Sequence, residues 1–180
     1  MMRTNLIALA AGACLAVAMP IAHASKTTGE TIDDSTLGAS TKAALVEAKA
    51  VSAGDINVEV YKGMVQLGGF VETQEAKDAA IAAAKSVEGH AKVIDAIAVV
   101  PGGRSMGQTM DDTTAQARLK ADLAEKMGVE KATAINTDVR RGEALLTGWV
   151  AKQEYKDEAG TIAKDIKGVT KVHNLLSVKP

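Results

Sequence analysis

Cysteine is nearly missing from this 180-residue chain: the single one, Cys14, lies in the opening stretch MMRTNLIALAAGACLAVAMPIAHA. That stretch has one positive charge at Arg3, an apolar run from Leu6 and the small-x-small pattern Ala22-His23-Ala24, the marks of a cleaved secretory leader. The run is short for a membrane anchor and ends near Pro20. Ala11 stands where an acylated leader usually carries leucine, which argues against lipid attachment at Cys14. Cleavage is therefore expected between Ala24 and Ser25. The exported chain then has no cysteine, which excludes a disulfide framework and any zinc site built on thiolates.

A basic footprint is also lacking. Without the leader, Lys and Arg number 20 against 22 Asp and Glu, so nucleic acid is not an expected partner. The charge is shared unevenly: residues 25–110 hold 8 basic and 11 acidic side chains, residues 111–180 hold 12 and 11. The second half is the better match to an anionic surface. Aromatic residues make up only 2% of the chain, with one tryptophan and one phenylalanine. Beyond the leader only His90 and His173 remain as histidines, too few with scattered carboxylates for a metal site.

What the chain does have is a repeat. Shifting it by 79 residues aligns 56–99 with 135–178 without a gap, and 18 of the 44 pairs are identical. Phe70 falls on Trp149, Gly69 on Gly148 and Gly63 on Gly142. This is a duplicated unit of roughly 70 residues, close to the smallest size at which a core stabilises itself.

Both copies read alike. A helix is expected to open at the acidic and hydroxyl residues DDST (from Asp33) and DDTT (from Asp111), whose side chains can accept bonds from free helix-start amides. Its apolar stripe is Leu37, Thr41, Leu45 and Ala48, or Ala115, Leu119, Leu123 and Met127. Alternation follows in Ile56, Val58, Val60 and in Ile135, Thr137, Val139; a turn at Gly63 or Gly142 then leads into a second strand, which makes a hairpin. A second helix carries Ala76, Ala80, Ala84 and Val87, or Tyr155, Ala159, Ala163 and Ile166, with Gly89 or Gly168 as its carboxyl cap. A last strand, 92–100 or 171–179, runs parallel to its neighbour if both share the sheet.

The fold class expected is α/β (α+β): two tandem α-β-β-α-β sandwich units, each a small mixed three-stranded sheet with two helices. The expected boundaries are a signal peptide at 1–24, units at 25–100 and 112–180, and a flexible glycine-rich linker at 101–111.

The stretches GMVQLGGFVETQEAKDAAIAAAKSVEGHAKVIDAIAVV and GEALLTGWVAKQEYKDEAGTIAKDIKGVTKVHNLLSV resemble two BON domains, with that family's leucine-x-glycine-x-valine strand, alanine-bearing helix and closing glycine-x-x-x-valine. His90 departs from the pattern, standing where Val169 supplies the usual hydrophobic residue, which puts closure of the first unit in question. The resemblance covers nearly all the exported chain. It implies a protein of the Gram-negative periplasm with an envelope-stress role, contacting phospholipid membrane surfaces or unfolded periplasmic proteins.

No constellation for catalysis converges. Gly103-Arg104-Ser105-Met106-Gly107 fits G-x-S-x-G, but a polar linker follows it where a nucleophile elbow needs a helix, and the units are too small for that fold. No cofactor, metal or catalytic residue is expected, and the expected state is a monomer. Strand alternation sends Gln66, Gly68 and Phe70, and likewise Leu145, Thr147 and Trp149, away from the helices. Two readings of that outer face stay open. Phe70 and Trp149 pack between the units or under the linker, or they are contact residues for a lipid surface or a client chain. Arg140 and Arg141 in the adjoining turn are either simply solvated or meet phosphate headgroups. A structural adaptor joining envelope proteins without lipid is the alternative function.

Overall fold

The computed structural model of the chain describes residues 28–48, 55–103 and 105–180, with side chains from 33 onward. The leader and its expected cleavage point, Ala24 and Ser25, lie outside the described residues.

The first unit is α1 (Thr28–Glu47), β1 (Ile56–Tyr61), β2 (Met64–Val71), α2 (Gln74–Lys85) and β3 (Lys92–Val99). The second is α3 (Met106–Met127), a four-residue turn of helix α4 (Val129–Ala132), β4 (Ile135–Arg140), β5 (Glu143–Val150), α5 (Gln153–Lys164), β6 (Lys171–Asn174) and β7 (Ser177–Val178). In each, the central strand pairs antiparallel with its hairpin partner and parallel with the strand beyond the helix crossover, as the β-α-β order requires. The last strand of the second unit is broken in two, which makes that sheet four-stranded.

Both cores follow the expected stripes except at Ala48, which lies past the end of α1 and is exposed. Leu37 and Leu45 of α1 and Ala80 and Ala84 of α2 cover Ile56, Val58, Val65, Leu67, Val71 and Ile97. Ala115, Leu119, Leu123 and Met127 of α3, with Ala159, Ile162 and Ala163 of α5, cover Ile135, Val139, Leu146 and Val150. The alanines let each helix lie close on its sheet, and the leucines supply most of the apolar area removed from water. Thr41 remains in the first stripe because its hydroxyl donates to the Leu37 carbonyl at 2.8 Å.

Three local expectations are corrected. Asp33-Asp34 and Asp111-Asp112 do not open their helices: α1 and α3 begin five residues earlier, and the pairs lie inside them. Asp34 and Asp112 are buried and turn inward, each carboxylate accepting the two central amides of its own hairpin turn, Lys62 and Gly63 at 2.8 Å each, or Arg141 and Gly142 at 2.8 and 2.9 Å. Second, the helix after the connection starts at Met106, because Ser105 and Gln108 form a reciprocal capping box, so residues 106–111 are helical where a linker was expected. Third, α2 and α5 are capped by Ser86 and Asp165, while Gly89 and Gly168, with φ of 88° and 97°, turn the corner into the next strand. His90 does not loosen that corner: the Ala91 amide donates to the Gly63 carbonyl at 2.8 Å, as the Thr170 amide does to Gly142 at 2.7 Å.

Candidate functional site

The central strands β2 and β5 are buried along their whole length after the first residue. Alternation gives each of them two apolar faces, and a helix layer can cover only one. The other faces cover each other: the two sheets pack outer face to outer face, and Phe70, Ala98 and Val100 of the first unit close on Leu145 of the second. Phe70 is 1% exposed and Trp149 7%, so of the two sequence readings the seam between the units is where these residues lie. Arg140, expected in an open turn, is instead the buried last residue of β4, 8% exposed, and faces the same seam.

Gln66 carries the polar part of the seam. Its side chain is fully buried; Oε1 accepts the Gly148 amide at 2.6 Å, and Nε2 donates to the Leu175 carbonyl at 3.1 Å and to Ser177 Oγ at 2.8 Å. The register of β5 is the same against β6 and β7, Leu146 opposite Asn174 and Trp149 opposite Ser177. A continuous parallel ladder in that register would bond the Gly148 amide to the Leu175 carbonyl. The carboxamide of Gln66 is inserted between those two groups and satisfies both, which is why β6 and β7 are separate. The first unit has Leu145 at the equivalent place, which cannot bridge, and its β3 is unbroken.

Gln66→Glu tests this insertion. The change keeps the shape and the Gly148 contact but turns the donor facing the Leu175 carbonyl into an acceptor in a buried site. We expect the seam to weaken by about 2–3 kcal/mol. Trp149 emission should shift red while the far-ultraviolet dichroism of the two units stays; unchanged emission at neutral pH would show that the inserted amide is dispensable.

Around Gln66 the side chains meet in pairs. The Tyr61 and Trp149 rings lie 5.3 Å apart at 34°, and Lys179 Nζ sits 5.2 Å from the Tyr61 centroid. Phe70 meets the His173 ring edge-on at 6.1 Å. Arg140 reaches across to Glu72 at 2.7 Å and to the Phe70 carbonyl at 3.4 Å. Arg140 Nε and Trp149 Nε1 are buried without a hydrogen-bond partner. Arg141 is exposed and donates to the Pro101 carbonyl at 2.9 Å, at the connection between the units. His173 and Lys171 both hold Glu143, at 2.6 and 3.1 Å. Partial burial pushes the Glu143 carboxyl up, but the hydrogen bonds from His173 and Lys171 outweigh it and hold the group below its ordinary value.

Beside the seam lies an open cleft of about 760 Å³, lined by Lys42, Asp55 and Asn57 of the first unit and Lys120, Asn136 and Asp138 of the second. Among the described residues, no three His, Cys, Asp or Glu are placed to hold a metal. Ser105 of the G-x-S-x-G match caps α3, with its oxygen accepting the Gln108 amide at 3.2 Å. No described helix is long and apolar enough to cross a membrane. The large apolar side chains left exposed among the described residues include Met106 and Met110, one turn apart at the start of α3.

Sequence reasoning identified the outer face but not its partners. Tyr61 and Glu72 were missed, and Gln66 and Leu145 were placed on that face without a role, although a glutamine flanked by apolar strand residues and a glycine facing outward at Gly68 were signals of a close polar contact. A Cβ at Gly68 would lie 2.6 Å from Thr147 Cγ2, so glycine there admits the other sheet.

The BON domain model matches residues 33–101 and again residues 111–180. Osmotically-inducible protein Y of Escherichia coli (strain K12) is 34% identical over 152 residues, 84% of this chain and 75% of that protein. Outer membrane lipoprotein DolP of Haemophilus influenzae is 35% identical over 158 residues, 87% of this chain and 80% of that protein. Among solved structures, the C-terminal domain of CdsD, the structural protein of the type III secretion system of Chlamydia trachomatis, aligns with 82% of this chain and 67% of that one at 14% identity and a TM-score of 0.33.

Proposed function

The chain belongs to the BON domain family, and from that premise we propose that it is a non-enzymatic periplasmic protein of envelope maintenance under osmotic stress. Its units part reversibly and present the seam to a phospholipid surface or an unfolded client chain. Its relatives' names, one osmotically inducible and one an outer membrane lipoprotein, support the setting.

The observation that carries the mechanism is the make-up of the seam. It gathers Phe70, Leu145 and Trp149, the aromatic and leucine side chains an apolar partner would meet, and puts Arg140 among them with Arg141 in the same turn. It also leaves two donors, Arg140 Nε and Trp149 Nε1, without partners. Each recovers hydration when the units separate, which offsets about 1–3 kcal/mol of the docking energy per group. An indole and the Arg140 guanidinium beside leucine and phenylalanine, with exposed Arg141 next in the chain, suit a boundary that is apolar on one side and anionic on the other.

The test uses anionic vesicles whose acyl chains carry bromine, a contact quencher of tryptophan, and neutral vesicles of the same chains. Sedimentation with the anionic vesicles and quenching of Trp149 are expected, with binding reduced about tenfold by Phe70→Ala with Trp149→Ala. Sedimentation without quenching would place the contact on another face. Failure both to sediment and to keep a denatured model protein soluble would leave the adaptor reading in its place.

A further inference from the structure

The contacts across the seam obey a rule that the duplication makes visible. Arg140 meets Phe70, and Tyr61 meets Trp149. Adding 79 to Tyr61 gives Arg140, and adding 79 to Phe70 gives Trp149, so each contact is the other with the units exchanged. Gln66 reaches Ser177 while its counterpart Leu145 joins Ala98, the counterpart of Ser177. Gly68 lies against Thr147, its own counterpart, so this pair marks the axis about which the units are related. A contact set with these reciprocities is a two-fold interface, the kind that two identical units form on meeting, here closed within one chain.

We propose that the seam is a unit-docking surface whose second occupant is another copy of this chain: the first unit of one chain docks on the second unit of another, and the reciprocal pair closes a unit-exchanged dimer. The differences between the two faces decide the pairing. Gln66 on one face needs the Gly148 amide and Leu175 carbonyl that the other face leaves open, and Glu72 on one needs Arg140 on the other. Two first units, or two second units, lack one side of each of these contacts. The hinge is short: the Val100 amide still closes on the Val71 carbonyl, and Ser105 already caps α3. Within it Gly102 has a φ of 87° and the Pro101 carbonyl is held by Arg141. A few-residue hinge of this kind exchanges between chains without loss of any seam contact.

The test is complementation between two full chains. One carries Gly68→Glu, the other Thr147→Glu, each placing a charge on the axis of the seam and none in the core of its own unit. Alone, each is expected to be monomeric with red-shifted Trp149 emission. Mixed, the intact second unit of the Gly68→Glu chain meets the intact first unit of the other. A one-to-one dimer should appear in sedimentation velocity, with part of the emission returning to the blue as Trp149 regains Tyr61. A mixture that stays monomeric overturns the proposal, and so does a dimer that forms with no change in emission. Should either glutamate chain lose its far-ultraviolet dichroism, a chain lacking Gly102 and Gly103 decides the matter. It must be a dimer with the native Trp149 emission, and a monomer overturns the proposal.

Discussion

Gly148→Ala is expected to unfold the second unit or to lower its melting temperature by more than 15 °C. A Cβ at this position would stand 2.3 Å from the Ala134 carbonyl oxygen, a backbone atom that cannot swing aside as a side chain can. The residue also has a φ of 118°, in a region an L side chain rarely enters, which by itself costs about 1–3 kcal/mol. Relief of the clash requires moving the segment before β4 away from β5, and Ile135, paired opposite Gly148, goes with it out of the core. The sum is expected to exceed about 4 kcal/mol, a large part of the 5–15 kcal/mol that holds a domain of this kind together. At about 4–8 °C per kcal/mol for a unit this size, the melting shift follows. Gly69→Ala should do the same to the first unit, since its Cβ would meet the Asp55 carbonyl oxygen at 1.9 Å. Gly107→Ala is the control: this glycine lies in α3 with open space around it, and alanine there should be neutral or add up to about 1 kcal/mol. Thermal unfolding followed by circular dichroism reads all three; a Gly148→Ala chain melting within a few degrees of the native one would remove the steric account.

That pair of glycines shows what the sequence could disclose. Their repetition 79 residues apart, inside an otherwise apolar alternation, fixed both copies in register and with them the hairpin, the crossover and the inner core. Alternation also placed Phe70 and Trp149 outward. It could not say what covers them, because the cover comes from the other copy, Leu145 and His173 on Phe70 and Tyr61 on Trp149, and no local pattern encodes that packing. The break between β6 and β7 was invisible for a related reason: Lys171 to Lys179 reads as one strand, and what interrupts its ladder is an amide from the other unit. The acidic pairs were misassigned because Asp next to Thr or Ser before an apolar stripe is a good helix-start signal. What the signal lacked was the spacing test. Asp34 and Asp112 are 78 residues apart while the turns they hold are 79 apart, so each carboxylate keeps nearly the same spacing to its turn, 28 and 29 residues.

Asp112→Ala is the second large effect, and its size follows from what the carboxylate does. Arg141 and Gly142, the central residues of a two-residue hairpin turn, both have positive φ, 54° and 76°. A non-glycine residue in that conformation carries strain of about 1–2 kcal/mol, so something must hold Arg141 there. In an exposed hairpin the two turn amides face water; here α3 lies over them, and one buried carboxylate accepts both. Charge-assisted bonds of this type contribute about 1.5–3 kcal/mol each. Alanine removes both and leaves two amides unsatisfied beneath the helix, so a loss of about 3–5 kcal/mol is expected in denaturant unfolding. Asn can accept only one of the two amides and turns its own donors toward the other, so Asp112→Asn should fall between alanine and the native chain. The exposed neighbour provides the contrast: Asp111→Ala should change stability by less than about 0.5 kcal/mol. If Asp111→Ala and Asp112→Ala cost the same, the carboxylates act through the general charge of the helix and not through the turn. Because Arg140, next to this turn, reaches across the seam to Glu72, the loss should also appear in Trp149 emission at denaturant concentrations where the first unit is still folded. The turn and the seam then fail together, and the carboxylate inside α3 is the group that couples the core of one unit to its docking on the other.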